Sequence, residues 1–227
     1  MSIADNAKFD DIATKVGFLR VPPPEVSSVF SLGGALRDVV RNVESFSDAL
    51  ALFQFADSVE DKKQGWSWKL IAARDSALQV YHLWHRLNDV RAALRNSPTL
   101  LSYVDTGELR LAAKLFDSHF KAHSVRHSVA HAAETANQAD QHVVKNYEGY
   151  GMKITGAGGV FVPGGLQGNT YLATFKGEMV TLAMTDETLR KIYSVVEIFF
   201  NAFNDVIDAS ARLGVTQTLK QREQHPQ

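Results

Sequence analysis

Residues 66–96 read WSWKLIAARDSALQVYHLWHRLNDVRAALRN. Trp68, Ile71, Leu78, Tyr81, His82, Leu87, Val90 and Leu94 follow helical spacing, and Lys69, Arg74, Asp75, Arg86, Asp89 and Arg91 supply a polar face. A period near 3.6 predicts one long amphipathic helix. Asn96-Ser97-Pro98 stops it, because the residue before a proline disfavours the helical region.

The same texture extends outward on both sides. Upstream, Leu36, Val39, Val40, Val43, Phe46, Leu50, Phe53 and Phe55 predict a helix over residues 35–58. Ser31 to Gly34 reads as a turn into it, and residues 61–65 as the connection after it. Residues 1–30 read as an N-terminal arm, because Pro22-Pro23-Pro24 favours extended backbone. Downstream, residues 98–104 form a connector. Asp105-Thr106 caps a helix over residues 107–120, with Leu109, Leu111, Ala112, Leu115 and Phe116 on its buried side. A related helix or continuation runs from about His123 to Gln138.

The texture then changes. Residues 147–170 hold eight of the 15 glycines, so this stretch is not helix. Val160-Phe161-Val162, residues 169–175 and residues 179–183 are β-prone, and Lys176-Gly177 separates the last two. That pattern predicts a hairpin, with the first run as the candidate third strand. Thr185 and Asp186 cap a final helix that runs to about Leu213. The expected fold is a mainly α helical bundle forming one domain over residues 31–213. It carries a β insertion at about 158–184 and a polar tail at 214–227.

Composition narrows the chemistry. A hydrophobic share of 45% in 227 residues supports a core without staples. Cysteine is absent, which excludes disulfides, thiolate metal sites and thiol nucleophiles. The first residues carry acids where a secretory signal wants bases, and no apolar run is long enough to span a bilayer, so a cytoplasmic protein is expected. A net charge of −1 excludes broad electrostatic binding of nucleic acid, so any RNA contact is local. The glycine-rich stretch lacks G-x-x-x-x-G-K-[ST] and is not a phosphate loop.

Chemistry concentrates in residues 119–134. His119, His123, His127 and His131 are spaced by four, Arg126 lies among them and Glu134 follows. On a continuous helix the four imidazoles drift by about 40° per step and form one slanting stripe. Three readings stand. The histidines can be structural. They can hold a metal, with His127, His131 and Glu134 as ligands, although H-E-x-x-H is missing. Or Arg126 and His131, one turn apart, can act on a phosphodiester. Arg126 would clamp the phosphate, His131 would move the proton, and His127 would be a second proton carrier. His123, Glu134, Arg74 and Asn146 are candidate RNA-binding or supporting residues for that site.

Arg126-x4-His131 within RHSVAHAAE resembles the R-x4–6-H signature of the HEPN superfamily (higher eukaryote and prokaryote nucleotide-binding domains). The likeness is to its abortive-infection-type and uncharacterised bacterial branches. AARDSALQVYHLWHRL upstream resembles the family's long second helix. The sequence departs from the family where His127 replaces the more usual Asn or Asp, and in its neutral charge. The resemblance implies a homodimeric helical bundle whose two motifs face across a cleft. It also implies metal-independent RNase activity with no cofactor, or RNA binding, in a bacterial defence or toxin–antitoxin system with an antitoxin protein as partner. A non-catalytic dimeric scaffold is the alternative from another class.

Overall fold

The computed structural model describes residues 3–17, 19, 21–121, 124, 125, 129, 137, 139–149, 151–155, 159–206 and 208. In chain order the described helices are α1 (Ile3–Gly17), α2 (Val26–Phe55), α3 (Lys62–Arg95), α4 (Pro98–Leu101), α5 (Thr106–Phe120), α6 (Ala139–His142) and α7 (Asp186–Asn201). Short 3-10 turns lie at Pro23–Glu25 and Ala56–Ser58. The strands are β1 (Tyr147–Gly149), β2 (Met152–Ile154), β3 (Gly165–Gln167), β4 (Thr170–Phe175) and β5 (Glu178–Ala183). The chain is therefore mainly α, with a small three-stranded antiparallel sheet set before α7.

Helix α3 is longer than its hydrophobic stripe suggested, and the stripe is buried in part: Tyr81, Leu87, Val90 and Leu94 face inward as expected. Ala72, Ala73, Ser76, Ala77, Val80, Leu83, Leu87, Val90 and Leu94 are buried, whereas Ile71 is 61% exposed and His82 is also exposed. The alanines therefore share the inward face with the larger apolar residues. Asp61 starts the helix: its Oδ1 accepts from the backbone N–H groups of Lys63 (2.9 Å) and Gln64 (3.2 Å). Residues 62–65, expected in the connection, are thus the first turn of α3. A Cβ at Gly65 would sit 2.6 Å from the Ala56 carbonyl oxygen, so that turn admits only glycine without a shift.

Residues 1–30, read as an arm, are largely helical. In α1 the buried Phe9, Ile12, Ala13 and Val16 repeat at i, i+3, i+4 and i+7, with Lys8, Asp10, Asp11 and Lys15 exposed. Pro22 alone is extended, at φ −53° and ψ 147°. Pro23 opens the 3-10 turn, where its missing N–H costs nothing, and α2 follows directly at Val26. The expected turn at residues 31–34 lies inside α2, held there by the burial of Val29, Leu32 and Leu36.

The chain clusters into two compact units. Unit 1 comprises Met1–Arg41, His85–Leu115 and Ser194–Gln227. Within it Phe9 stacks on Phe200 with ring centroids 4.7 Å apart. The buried Glu25 carboxylate accepts from the Thr99 hydroxyl (2.8 Å) and the Thr99 N–H (3.1 Å). The Asp105 N–H donates to the Ala202 carbonyl at 2.9 Å. Asp105 Oδ1 caps α5 by accepting from the N–H groups of Gly107 (2.7 Å) and Glu108 (3.2 Å), as the sequence predicts. Leu111, expected on the buried side of α5, is exposed.

Unit 2 comprises Asn42–Trp84 and Phe116–Tyr193 and contains the sheet. The sheet order is β3-β4-β5, with β4 buried along its whole length. Phe175 pairs with Glu178, which leaves Lys176-Gly177 as a two-residue turn. Both turn residues have positive φ, +49° and +77°, the requirement of a type I′ hairpin. The hairpin is where the sequence put it, but the third strand is Gly165–Gln167, not residues 160–162. Val160 instead bridges to Val144, and the Thr174 N–H donates to the Val162 carbonyl at 2.9 Å. β1 and β2 add a separate two-stranded hairpin upstream of the expected insertion. Thr185 Oγ1 accepts from the Thr188 N–H at 3.3 Å and caps α7, and Asp186 and Glu187 fill its acidic first turn.

Candidate functional site

The residues expected to carry the chemistry, Arg126, His127 and His131, with His123 and Glu134, lie outside the described residues. So does the alternative metal set of His127, His131 and Glu134. What surrounds them in sequence is described. Helix α5 enters this segment, and it ends at Phe120.

The ending is sharp. Lys121 takes φ +42°, a left-handed conformation that closes a helix at its C-terminus. Its N–H still donates to the Asp117 carbonyl at 3.2 Å. Its own carbonyl then accepts from Ser124 (2.9 Å) and Val125 (3.3 Å), which begin a new turn. The helix that carries His119 therefore ends at Phe120. His119 is exposed on α5 with its ring edge-on to Phe120, centroids 5.9 Å apart. Beyond the break Val125 is buried and Val129 half-buried, both helical.

Of the candidate supporting residues, Arg74 is exposed on α3 and Asn146 is exposed just before β1. Asn146 lines a shallow pocket of about 270 Å³ with Tyr147, Glu148, Lys153, Ile154 and Thr155, a set that does not include Arg74. Neighbouring Asp75 accepts from Gln79 Nε2 at 3.2 Å. Asp140 is exposed on α6. His142, on the same short helix, is buried and engaged: Nδ1 accepts the Lys176 N–H at 3.0 Å, and the ring stacks on Phe175 at 5.3 Å. Accepting at Nδ1 puts the ring proton on Nε2. This imidazole props the hairpin turn, which is a structural task. Among the described residues no group of three or more His, Cys, Asp or Glu side chains is placed to hold a metal ion.

The sequence reading passed over one cationic cluster. In unit 1 a pocket of about 210 Å³ is lined by Arg91, Leu94 and Arg95 of α3, Leu101 of α4, and Thr106, Leu109 and Arg110 of α5. The signal was present as two i, i+3, i+4 triplets, 91/94/95 and 106/109/110, each of which falls on one helical face.

No protein-family model, curated protein or solved structure matches the chain. Among the described residues no helix is long and apolar enough to cross a membrane.

Proposed function

We propose that this chain is a HEPN-like, homodimeric protein of the cytoplasm that cleaves or binds RNA without a metal or cofactor, as a component of a bacterial defence or toxin–antitoxin system. The observation that carries the reading is the sequence spacing Arg126-x4-His131 in a mainly α chain. Guanidinium and imidazole are the two groups that metal-free phosphodiester cleavage requires. The cation offsets charge that builds on the phosphate in the transition state, and the imidazole moves a proton near neutral pH. In this proposal Arg126 clamps the phosphate, His131 is the general base or acid, and His127 is the second proton carrier. Arg74 and Asn146, both exposed, are free of any burial that would bar them from a long RNA strand.

The test is incubation of the purified chain with a mixed RNA pool in excess chelator, beside an Arg126→Ala/His131→Ala double variant. Cleavage by the first and loss of it in the second is the expected result. Equal cleavage by both, or none by either, removes the nuclease reading.

The non-catalytic dimeric scaffold stays as a second reading because unit 2 exposes large apolar side chains. Phe55 and Trp66 are 60% and 53% exposed, and exposed Leu52 and Ile71 line one groove of about 360 Å³. Contiguous exposed apolar surface is what protein–protein interaction sites present.

A further inference from the structure

The pocket between the end of α3 and the start of α5 is lined by three arginines. Arg91 and Arg95 stand one turn apart on α3, and Arg110 stands on α5. Buried Leu94 and Leu109 form an apolar floor. No acid lines the pocket. The nearby Asp89 is committed to Arg86 at 2.9 Å, and the Asp105 carboxylate to the first N–H groups of α5. Among the described residues no ion pair joins Arg91, Arg95 or Arg110 to a carboxylate. In a chain with 24 basic and 25 acidic side chains, three arginines around one cavity with no lining acid is a local departure from balance.

Like charges held together raise the free energy of the empty pocket, and an anion that touches several of them lowers it. The shape of the anion follows from the donors. A guanidinium is a planar fork that grips two oxygens at once. One fork already engages both oxygens of a carboxylate, whereas a phosphate monoester offers three terminal oxygens and up to two charges. Three forks from two helices therefore match a tetrahedral dianion better than a planar monoanion. The volume is below the roughly 300–1,000 Å³ of pockets that enclose a whole drug-sized ligand. It suits a terminal phosphate and its first substituent, with the apolar floor against the carbon that bears it.

We infer that the Arg91–Arg95–Arg110 pocket is a binding site for a terminal phosphate monoester. The inference stands apart from the Arg126–His131 proposal, since it uses none of those residues and requires no cleavage. Two sources carry this chemistry, a free nucleoside monophosphate and the 5′-phosphorylated end of an RNA strand.

The experiment is calorimetric titration of the full chain with adenosine monophosphate, with a short 5′-phosphorylated RNA and with the same RNA ending in a 5′-hydroxyl. The expected result is saturable binding of at least one phosphorylated probe with a Kd under about 1 mM. Arg95→Gln or Arg110→Gln should weaken it more than about tenfold, with Arg95→Lys intermediate because a lysine keeps charge but loses the fork. Arg41→Gln, the same charge change outside the pocket, should leave binding as it is. Binding of the phosphorylated RNA alone identifies a strand end, and equal binding of the monophosphate identifies a free phosphate ester. Both outcomes sustain the site. No binding of either phosphorylated probe, equal binding of the 5′-hydroxyl RNA, or full binding by an Arg91→Gln/Arg95→Gln/Arg110→Gln variant overturns it. Circular dichroism of each variant guards against a loss caused by misfolding.

Discussion

The Lys176 backbone N–H donates to His142 Nδ1 at 3.0 Å. A buried imidazole thus accepts a turn N–H that the strand ladder leaves without a partner, and its ring stacks on Phe175. His142→Ala removes the acceptor and strands a partly buried donor, which should cost about 1–3 kcal/mol. His142→Asn offers an oxygen in place of Nδ1 and should recover part of that loss. Urea denaturation of the two variants checks the order, and equal stability of wild type and His142→Ala would refute the propping role.

Two glycines with the same left-handed φ of +56° separate conformational strain from crowding. At Gly159 an added Cβ would lie 2.1 Å from Val143 Cγ1 and 3.0 Å from the Val144 carbonyl oxygen, and at Gly168 it would meet nothing within 4 Å. Gly168→Ala should cost only the backbone term of about 1–2 kcal/mol. Gly159→Ala adds overpacking and should lose about 3 kcal/mol or more in total. Thermal melts of the pair would contradict this picture by showing equal losses.

Ser76 is fully buried in α3, and its hydroxyl has no hydrogen-bond partner among the described residues. An unsatisfied buried hydroxyl is unfavourable, and alanine is the better helix former. Ser76→Ala should therefore stabilise the chain by about 0.5–1.5 kcal/mol. A lower denaturation midpoint in that variant would show that the hydroxyl has a partner after all.

Glu187 on α7 is held below its ordinary pKa, first by the side-chain hydrogen bond from Lys191 and then by that ammonium's charge. A depressed carboxylate contributes stability above its unfolded pKa and loses it as pH falls through the lower folded value. The group is fully exposed, so the effect is small and screened by salt. Glu187→Gln should lower the melting temperature slightly near neutral pH, and the difference should vanish in acid well below the carboxylate range. A difference that persists there belongs to helix propensity and not to charge.

Local physics was legible in the chain before any packing was known. The Asp105 and Thr185 caps, the Lys176-Gly177 turn and the helical period of residues 66–96 depend on groups a few positions apart, so sequence alone specified them. The Arg126-x4-His131 spacing is legible for the same reason, as a pattern of residue types along a line. Tertiary structure decided the rest. It buried Ala72, Ala73 and Ala77 while leaving the larger Ile71 in solvent, because packing against other elements, not the hydrophobicity of one side chain, sets which face turns inward. It bridged Val160 to Val144, 16 positions upstream, instead of placing residues 160–162 in the three-stranded sheet. It closed α5 at Lys121, so the helix that carries His119 ends there. And it brought Arg91 and Arg95 to the same cavity as Arg110, a meeting of two helical faces that no spacing along a single strand of text can express.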